Sequence, residues 1–217
     1  SLTSVFPLAQ TATPPPALTL PPTVRPLAVC RFSAPGKPGR VGQWAPGAEV
    51  TWVRVPVGEG GPGPARTAGY SGVGMMGGPM SVNDKLPWVA PLCGFLREAM
   101  GDGVPVIGHC LGGQMMAKAL DAPVSRMREP EIGWMHVDVC DRDARRDWFG
   151  GRPRLPVFQW HYDAFDLPPI ATRVLTSRFA AHTGFVIDER PVGFQCHLEM
   201  PRERVEAQCA RSAPDWP

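Results

Sequence analysis

The sequence is poor in the features that would assign it to a class at once. It has no apolar run of about 18 residues, the length a membrane-crossing helix needs. Its net charge is small: 22 Lys and Arg against 20 Asp and Glu leave a formal +2, spread along the chain, which excludes the basic stripe of a nucleic-acid binder. Its six cysteines (30, 93, 110, 140, 196 and 209) include no C-x-x-C pair, and no H-x-x-x-H or carboxylate cluster stands out. A zinc site and metal-dependent hydrolysis are therefore not indicated, and no metal or other cofactor is expected. No segment repeats at a fixed period, which argues against a solenoid. The start lacks the basic residues and apolar stretch of a signal peptide. A chain of this size needs no disulfides to hold a core, so a reducing, cytoplasmic setting is expected.

What the chain does have is proline and glycine, 27 and 24 residues respectively, concentrated in particular stretches. Seven prolines fall within residues 1–27, predicting an extended or disordered leader over 1–26. The composition, 43% hydrophobic over 217 residues, suits a single α/β domain, placed at 27–210 with a tail at 211–217. Strands are predicted at 27–32, 50–57 and 72–76, with a helix over 88–100 from the spacing of Trp88, Leu92, Phe95, Leu96 and Met100. Residues 33–48 have room only for a short helix at 41–45. Alternating strands and helices predict a mostly parallel, flavodoxin-like sheet with flanking helices. Further short strands at 133–140, 155–160, 173–178, 185–187 and 193–197 predict an antiparallel extension, and 201–210 a closing helix.

The most informative stretch is 104–120, V-P-V-I-G-H-C-L-G-G-Q-M-M-A-K-A-L. Val104, Val106 and Ile107 read as a buried strand. From Gly113 the apolar residues Met115, Met116, Ala119 and Leu120 recur at helical spacing. Cys110 lies in the turn between them, framed by Gly108 and Gly112 as G-x-C-x-G, the nucleophile-elbow pattern with sulfur in place of oxygen. Such a turn crowds the backbone, and flanking glycines relieve the crowding. It also aims the N–H groups of the new helix at the side chain, an environment that favours an anion. The N–H of Leu111 falls where an oxyanion would need a donor. A structural thiol is the competing reading of Cys110, and a redox-sensing thiol is another.

A nucleophile needs a base. Among the five histidines, His136 reads as a strand-face residue and His182 as a turn residue, while His109 precedes the nucleophile and should point away from it. His197 differs. Residues 192–200, V-G-F-Q-C-H-L-E-M, read as an apolar strand carrying His197 and Glu199 near its end, and a spacing of two puts both on one strand face. A carboxylate beside an imidazole orients it and stabilises the imidazolium. A solvent-facing His-x-Glu pair is the alternative.

Five segments then occur in order: G-G-P-M-S at 77–81, G-H-C-L-G-G-Q at 108–114, E-I-G-W at 131–134, W-H-Y-D at 160–163 and Q-C-H-L-E at 195–199. Together they resemble class I, triad-type glutamine amidotransferases, and most of all the stand-alone proteins similar to the glutaminase domain of GMP synthase, over about 27–205. The resemblance implies a triad of Cys110, His197 and Glu199 acting on glutamine through a γ-glutamyl thioester. It also implies an oxyanion hole from the N–H groups of Leu111 and Gly78, with Gln114, His161 and Asp163 at the substrate. In three places the chain departs from the family pattern. Residues 33–49 are too short and glycine-rich for a full first helix, the usual Gly-His-Gln after the elbow is Gly112-Gly113-Gln114, and the carboxyl end is short.

Neither a P-loop nor the S-G-G-x-D-S pyrophosphatase loop of a synthetase is present, so ammonia would have to pass to a separate synthetase chain. Two other functions remain open at this stage. One is hydrolysis of another γ-glutamyl amide by the same triad, which a wider pocket would reveal. The other is a regulatory protein that keeps the fold without the chemistry, although no triad member is missing.

Overall fold

The computed structural model describes residues 25–32, 50–54 and 67–212. Residues 1–24 of the expected leader, the short helix at 41–45 and the end of the tail lie outside the described residues, as do residues 55–57 of the second predicted strand.

The first half of the chain builds β1 (Leu27–Arg31), β2 (Val50–Arg54), β3 (Gly72–Met75), α1 (Val89–Gly101), β4 (Val106–His109) and α2 (Leu111–Ala119). The second half builds β5 (Val124–Val139), α3 (Arg142–Asp147), β6 (Arg154–Phe165), β7 (Thr172–Thr176), β8 (Gly184–Val186), β9 (Val192–Phe194) and α4 (Arg202–Ser212). All nine strands join one sheet in the order β2-β1-β3-β4-β9-β8-β7-β5-β6.

The pairings from β2 through β9 are parallel and those from β9 through β6 antiparallel. The fold is therefore α/β with an evenly mixed sheet, and the expected mostly parallel character holds only for its first half. The reason lies in the connections. Parallel neighbours need a long crossover such as α1, whereas the short links in the second half let strands turn straight back on one another.

Three elements differ clearly from expectation in length, and one is β6, which runs past the expected 155–160 through His161 and Asp163 to Phe165. β5 begins at Val124, not 133, because residues 125–130 form a charged, largely exposed ribbon with none of the alternation that marks a half-buried strand. Its pairing with β6 also shifts register between Arg126 and Glu131. β9 stops at Phe194, so His197 and Glu199 are not on a strand face as the sequence suggested. The chain bends at Gln195, and His197 instead makes an isolated antiparallel bridge to Phe158 of β6, its N–H donating to the Phe158 carbonyl at 2.9 Å.

The core explains why α1 and α2 form where they do. α1 buries Val89, Leu92, Cys93, Leu96 and Ala99, an i, i+3, i+4 stripe, against α2 and the first strands. α2 is buried nearly all round, with Met115 and Met116 fully enclosed. A second apolar cluster, built from Val137, Val139, Val157, Val174, Leu175 and Phe194, underlies the antiparallel half. Among the described residues no helix is long and apolar enough to cross a membrane.

The topology also decides where chemistry can occur. β1, β3, β4 and β9 are parallel neighbours, so the residues just past their carboxyl ends arrive at one edge of the sheet. Ligand sites of parallel sheets form at such an edge. Here it gathers Phe32, Gly77 and Gly78, Cys110, and the 195–199 bend.

Candidate active site

Cys110 occupies the turn between β4 and α2 with φ 53° and ψ −113°, a left-handed backbone on a non-glycine residue. Strain of this kind costs about 1–3 kcal/mol and persists only where surrounding structure enforces it. The enforcement is visible in the packing. A Cβ on Gly108 would lie 2.6 Å from the carbonyl carbon of Gly112, so the turn closes this tightly only with glycine. Leu111 begins α2, and its N–H belongs to the first turn, which has no acceptor within the helix. The Cys110 thiol donates to the Trp160 carbonyl at 3.7 Å.

His197 is brought alongside by the bend after β9. Its Nδ1 donates to Glu199 Oε1 at 2.8 Å, with only 8% and 2% of the two side chains exposed. Burial works against a charged imidazole here. Glu199 and, beside it, the Cys110 side chain outweigh it and raise His197 from 6.5 to about 10. Burial likewise opposes the Glu199 carboxylate, yet His197 and, more weakly, His109 hold it down at about 2. An added Cβ at Gly77 would sit 2.9 Å from His197 Cε1 and 3.4 Å from Cys110 Cβ, so the 77–78 turn presses directly on both. A thiol, an imidazole and a carboxylate in this order can generate a sulfur nucleophile and return a proton to a leaving group.

A cavity of about 700 Å³ opens over these groups, and Gly78, Leu111, Gln114, His161 and Asp163 all line it. Gln114 projects from α2, its amide nitrogen donating to the Asp163 carbonyl at 3.1 Å and to Gln195 Oε1 at 3.2 Å. Asp163 Oδ2 accepts from the Ser81 hydroxyl at 2.6 Å, and its other oxygen lies 3.6 Å from Arg126. The Arg126 guanidinium in turn stacks on Tyr162, 4.5 Å from the ring centre.

His161 and Asp163 belong to β6, not to a loop following it. Both ring nitrogens of His161 are engaged within the protein: Nδ1 lies 2.9 Å from the Asp163 carbonyl oxygen and Nε2 3.0 Å from Glu131 Oε2. No ring nitrogen is left over for a ligand, so His161 builds the wall of the cavity.

Several residues at the site went unrecognised in the sequence. Glu131 is fully buried and sits directly across the β5–β6 ladder from His161. Burial raises its carboxyl, but hydrogen bonds from His161, Ser177 and the Phe179 N–H bring the balance below the usual range. Ser81 and Gln195 hold Asp163 and Gln114. His109 lies beside Glu199, with Nε2 3.9 Å from Oε2. Burial lowers its pKa more than Glu199 raises it. Ser81, His109, Glu131 and Gln195 all fall inside the segments that carry the family resemblance, and that membership was the signal that could have marked them.

The comparisons with known proteins agree with this geometry. The sequence signature described as glutamine amidotransferase class-I matches residues 47–210. A glutamine amidotransferase-like protein of Salmonella typhimurium, YfeJ, is 30% identical over 173 residues, 76% of this chain and 71% of its own length. The glutamine-hydrolysing GMP synthase subunit of Sulfolobus acidocaldarius is 30% identical over 126 residues, 57% of this chain and 64% of its own length, so this chain spans less than two thirds of that relative. Among solved structures, a glutamine amidotransferase of Methylobacillus flagellatus superimposes with a TM-score of 0.83 at 38% identity, covering 88% of this chain and 77% of that one. A glutamine amidotransferase of Thermotoga maritima gives 0.76 at 30% identity, covering 87% and 82%. With the signature covering most of the chain and Cys110 on the expected elbow beside the His197–Glu199 pair, this protein belongs to the class I glutamine amidotransferase family.

Proposed function

We propose that the chain hydrolyses the side-chain amide of glutamine by covalent catalysis at Cys110, releasing ammonia and glutamate. The observation that carries this reading is His197, packed beside Cys110 against Gly77 and hydrogen-bonded through Nδ1 to the buried Glu199 carboxylate, on the lining of the cavity. His197 takes the thiol proton as Sγ attacks the amide carbon, and returns it to the nitrogen as the C–N bond breaks. Ammonia leaves. Water, deprotonated by His197, then cleaves the thioester. Glu199 fixes the tautomer of His197 and stabilises its charged form. The N–H groups of Leu111 and Gly78 stabilise the oxyanion in both steps.

Gln114 and Asp163 hold the γ-glutamyl body, and the Glu131–His161 pair keeps that wall in place. The relatives named as glutamine-hydrolysing GMP synthase subunits support a separate synthetase chain as the acceptor of ammonia. The test is acid quenching during turnover of glutamine, followed by mass analysis of the Cys110 peptide. A γ-glutamyl adduct on Cys110, absent from Glu199→Ala or much reduced in it, supports the reading. An unmodified Cys110 while ammonia is being released refutes it.

A further inference from the structure

β4 ends on a polar residue where the rest of the strand is apolar. His109 follows Val106, Ile107 and Gly108, is 1% exposed, and pairs in register with Phe194 of β9. Among the described residues neither of its ring nitrogens has a hydrogen-bond partner. Enclosing an imidazole in this way costs stability that a valine or leucine at the same place would not. His109 is also absent from the lining of the cavity, so contact with substrate does not account for it.

What it does approach is Glu199. Glu199 Oε1 is taken by Nδ1 of His197, while Oε2 is buried, has no hydrogen-bond partner among the described residues, and lies 3.9 Å from His109 Nε2. The Phe194 ring packs against the imidazole, centres 5.7 Å apart, and fixes its position. At 3.9 Å no hydrogen bond is formed. Catalytic hydrogen bonds are often long in a free enzyme and tighten only with substrate bound. The protonation of the ring suits the part. Burial lowers its pKa, and the His197 charge adds to this against the pull of Glu199, which keeps the ring neutral. A neutral imidazole has one N–H, and with the proton on Nε2 that donor faces the carboxylate. A cation there would cancel the carboxylate charge and repel the His197 imidazolium.

We propose that His109 is a positioning residue of the triad: its Nε2–H closes onto Glu199 Oε2 during turnover and locks the carboxylate that orients His197. This rests on the Cys110 mechanism proposed above. With Oε2 anchored, the carboxylate cannot rotate away, and Oε1 stays on Nδ1 of His197 while the proton moves between Cys110, His197 and the leaving nitrogen. His109 itself neither touches substrate nor transfers a proton.

The experiment measures kcat and KM for glutamine in wild type, His109→Phe, His109→Asn and His109→Gln, each with Glu199 intact and in the Glu199→Gln background, with urea midpoints to confirm that each variant is folded. His109→Phe keeps a ring without a donor, His109→Asn carries its amide nitrogen only as far as Nδ1, and His109→Gln carries one to where Nε2 lies. In Phe and Asn kcat should fall roughly ten- to a hundred-fold, the range of a lost hydrogen bond to a charged group, while KM holds. His109→Gln should recover most of the loss. In the Glu199→Gln background the loss should disappear, because the group through which His109 acts is gone. Asn and Gln variants of equal kcat, or losses that match in the two backgrounds within about two-fold, the scatter of independent sites, overturn the positioning role and leave the Cys110 reading standing. So does a loss confined to KM. A wild type that does not turn over glutamine overturns the Cys110 reading, and the positioning role with it.

Discussion

Replacing Glu199 with Gln keeps the shape of the site and removes one charge, so its effect on stability can be worked out from the pairing. In the folded protein His197 is raised from 6.5 to about 10 and Glu199 lowered from 4.5 to about 2. Both describe one interaction and count once. The smaller change, Glu199 from 4.5 to about 2 at 1.36 kcal/mol for each tenfold change in acidity, gives about 3 kcal/mol. This falls in the range of roughly 3–5 kcal/mol lost when one partner of a buried ion pair is removed.

The sign of the pH dependence follows from linkage. A raised histidine contributes fully below 6.5 and loses its contribution as pH climbs through about 10. A depressed carboxylate contributes fully above 4.5 and loses its contribution as pH falls through about 2. The two windows overlap between about pH 4.5 and 6.5. Urea unfolding of wild type and Glu199→Gln should therefore show its widest gap, about 3 kcal/mol, near pH 5.5. The gap should be clearly narrower at pH 9.5 and at pH 3. A gap of constant size across this range would refute the ion pair as the source of the stability.

Two other substitutions test the packing around the site. Gly77→Ala places a Cβ 2.9 Å from His197 Cε1, and displacing that ring by a few tenths of an ångström or more should lower kcat by about a hundred-fold while far-ultraviolet circular dichroism stays native. Wild-type kcat in this variant would show that the 77–78 turn does not govern the placement of His197. Glu131→Ala strands His161 in a buried site, and should lower stability by about 3–5 kcal/mol and raise KM for glutamine more than it lowers kcat, as urea midpoints and steady-state kinetics would report. A fall in kcat alone would place Glu131 in the chemistry instead of the substrate wall.

The parts of the site that the sequence made legible are those encoded locally. The elbow shows itself because the period changes from two to 3.6 within a few residues around Cys110, and the glycines that permit the turn are its immediate neighbours. His197 and Glu199 were visible as a charged pair inside an apolar segment, but their element was misread. β9 is only three residues long, and what holds His197 is a bridge to Phe158, a contact that sequence spacing does not encode.

Glu131 and His161 lie thirty residues apart and meet only because the β5–β6 ladder shifts register between Arg126 and Glu131. The lengths of β5 and β9 and the even mix of parallel and antiparallel pairings were missed for a related reason. In the charged ribbon at 125–130 only Ser125 and Arg126 pair with β6, and the register shift that follows is not encoded in the ribbon's own pattern.

The central claim is that Cys110, activated by His197, attacks the amide of glutamine. Ammonia release from glutamine by the purified chain and by Cys110→Ala tests it most directly. The account predicts steady release by the wild type and loss of at least a thousand-fold in Cys110→Ala, the scale expected when a nucleophile is removed. Equal release by both proteins would contradict it.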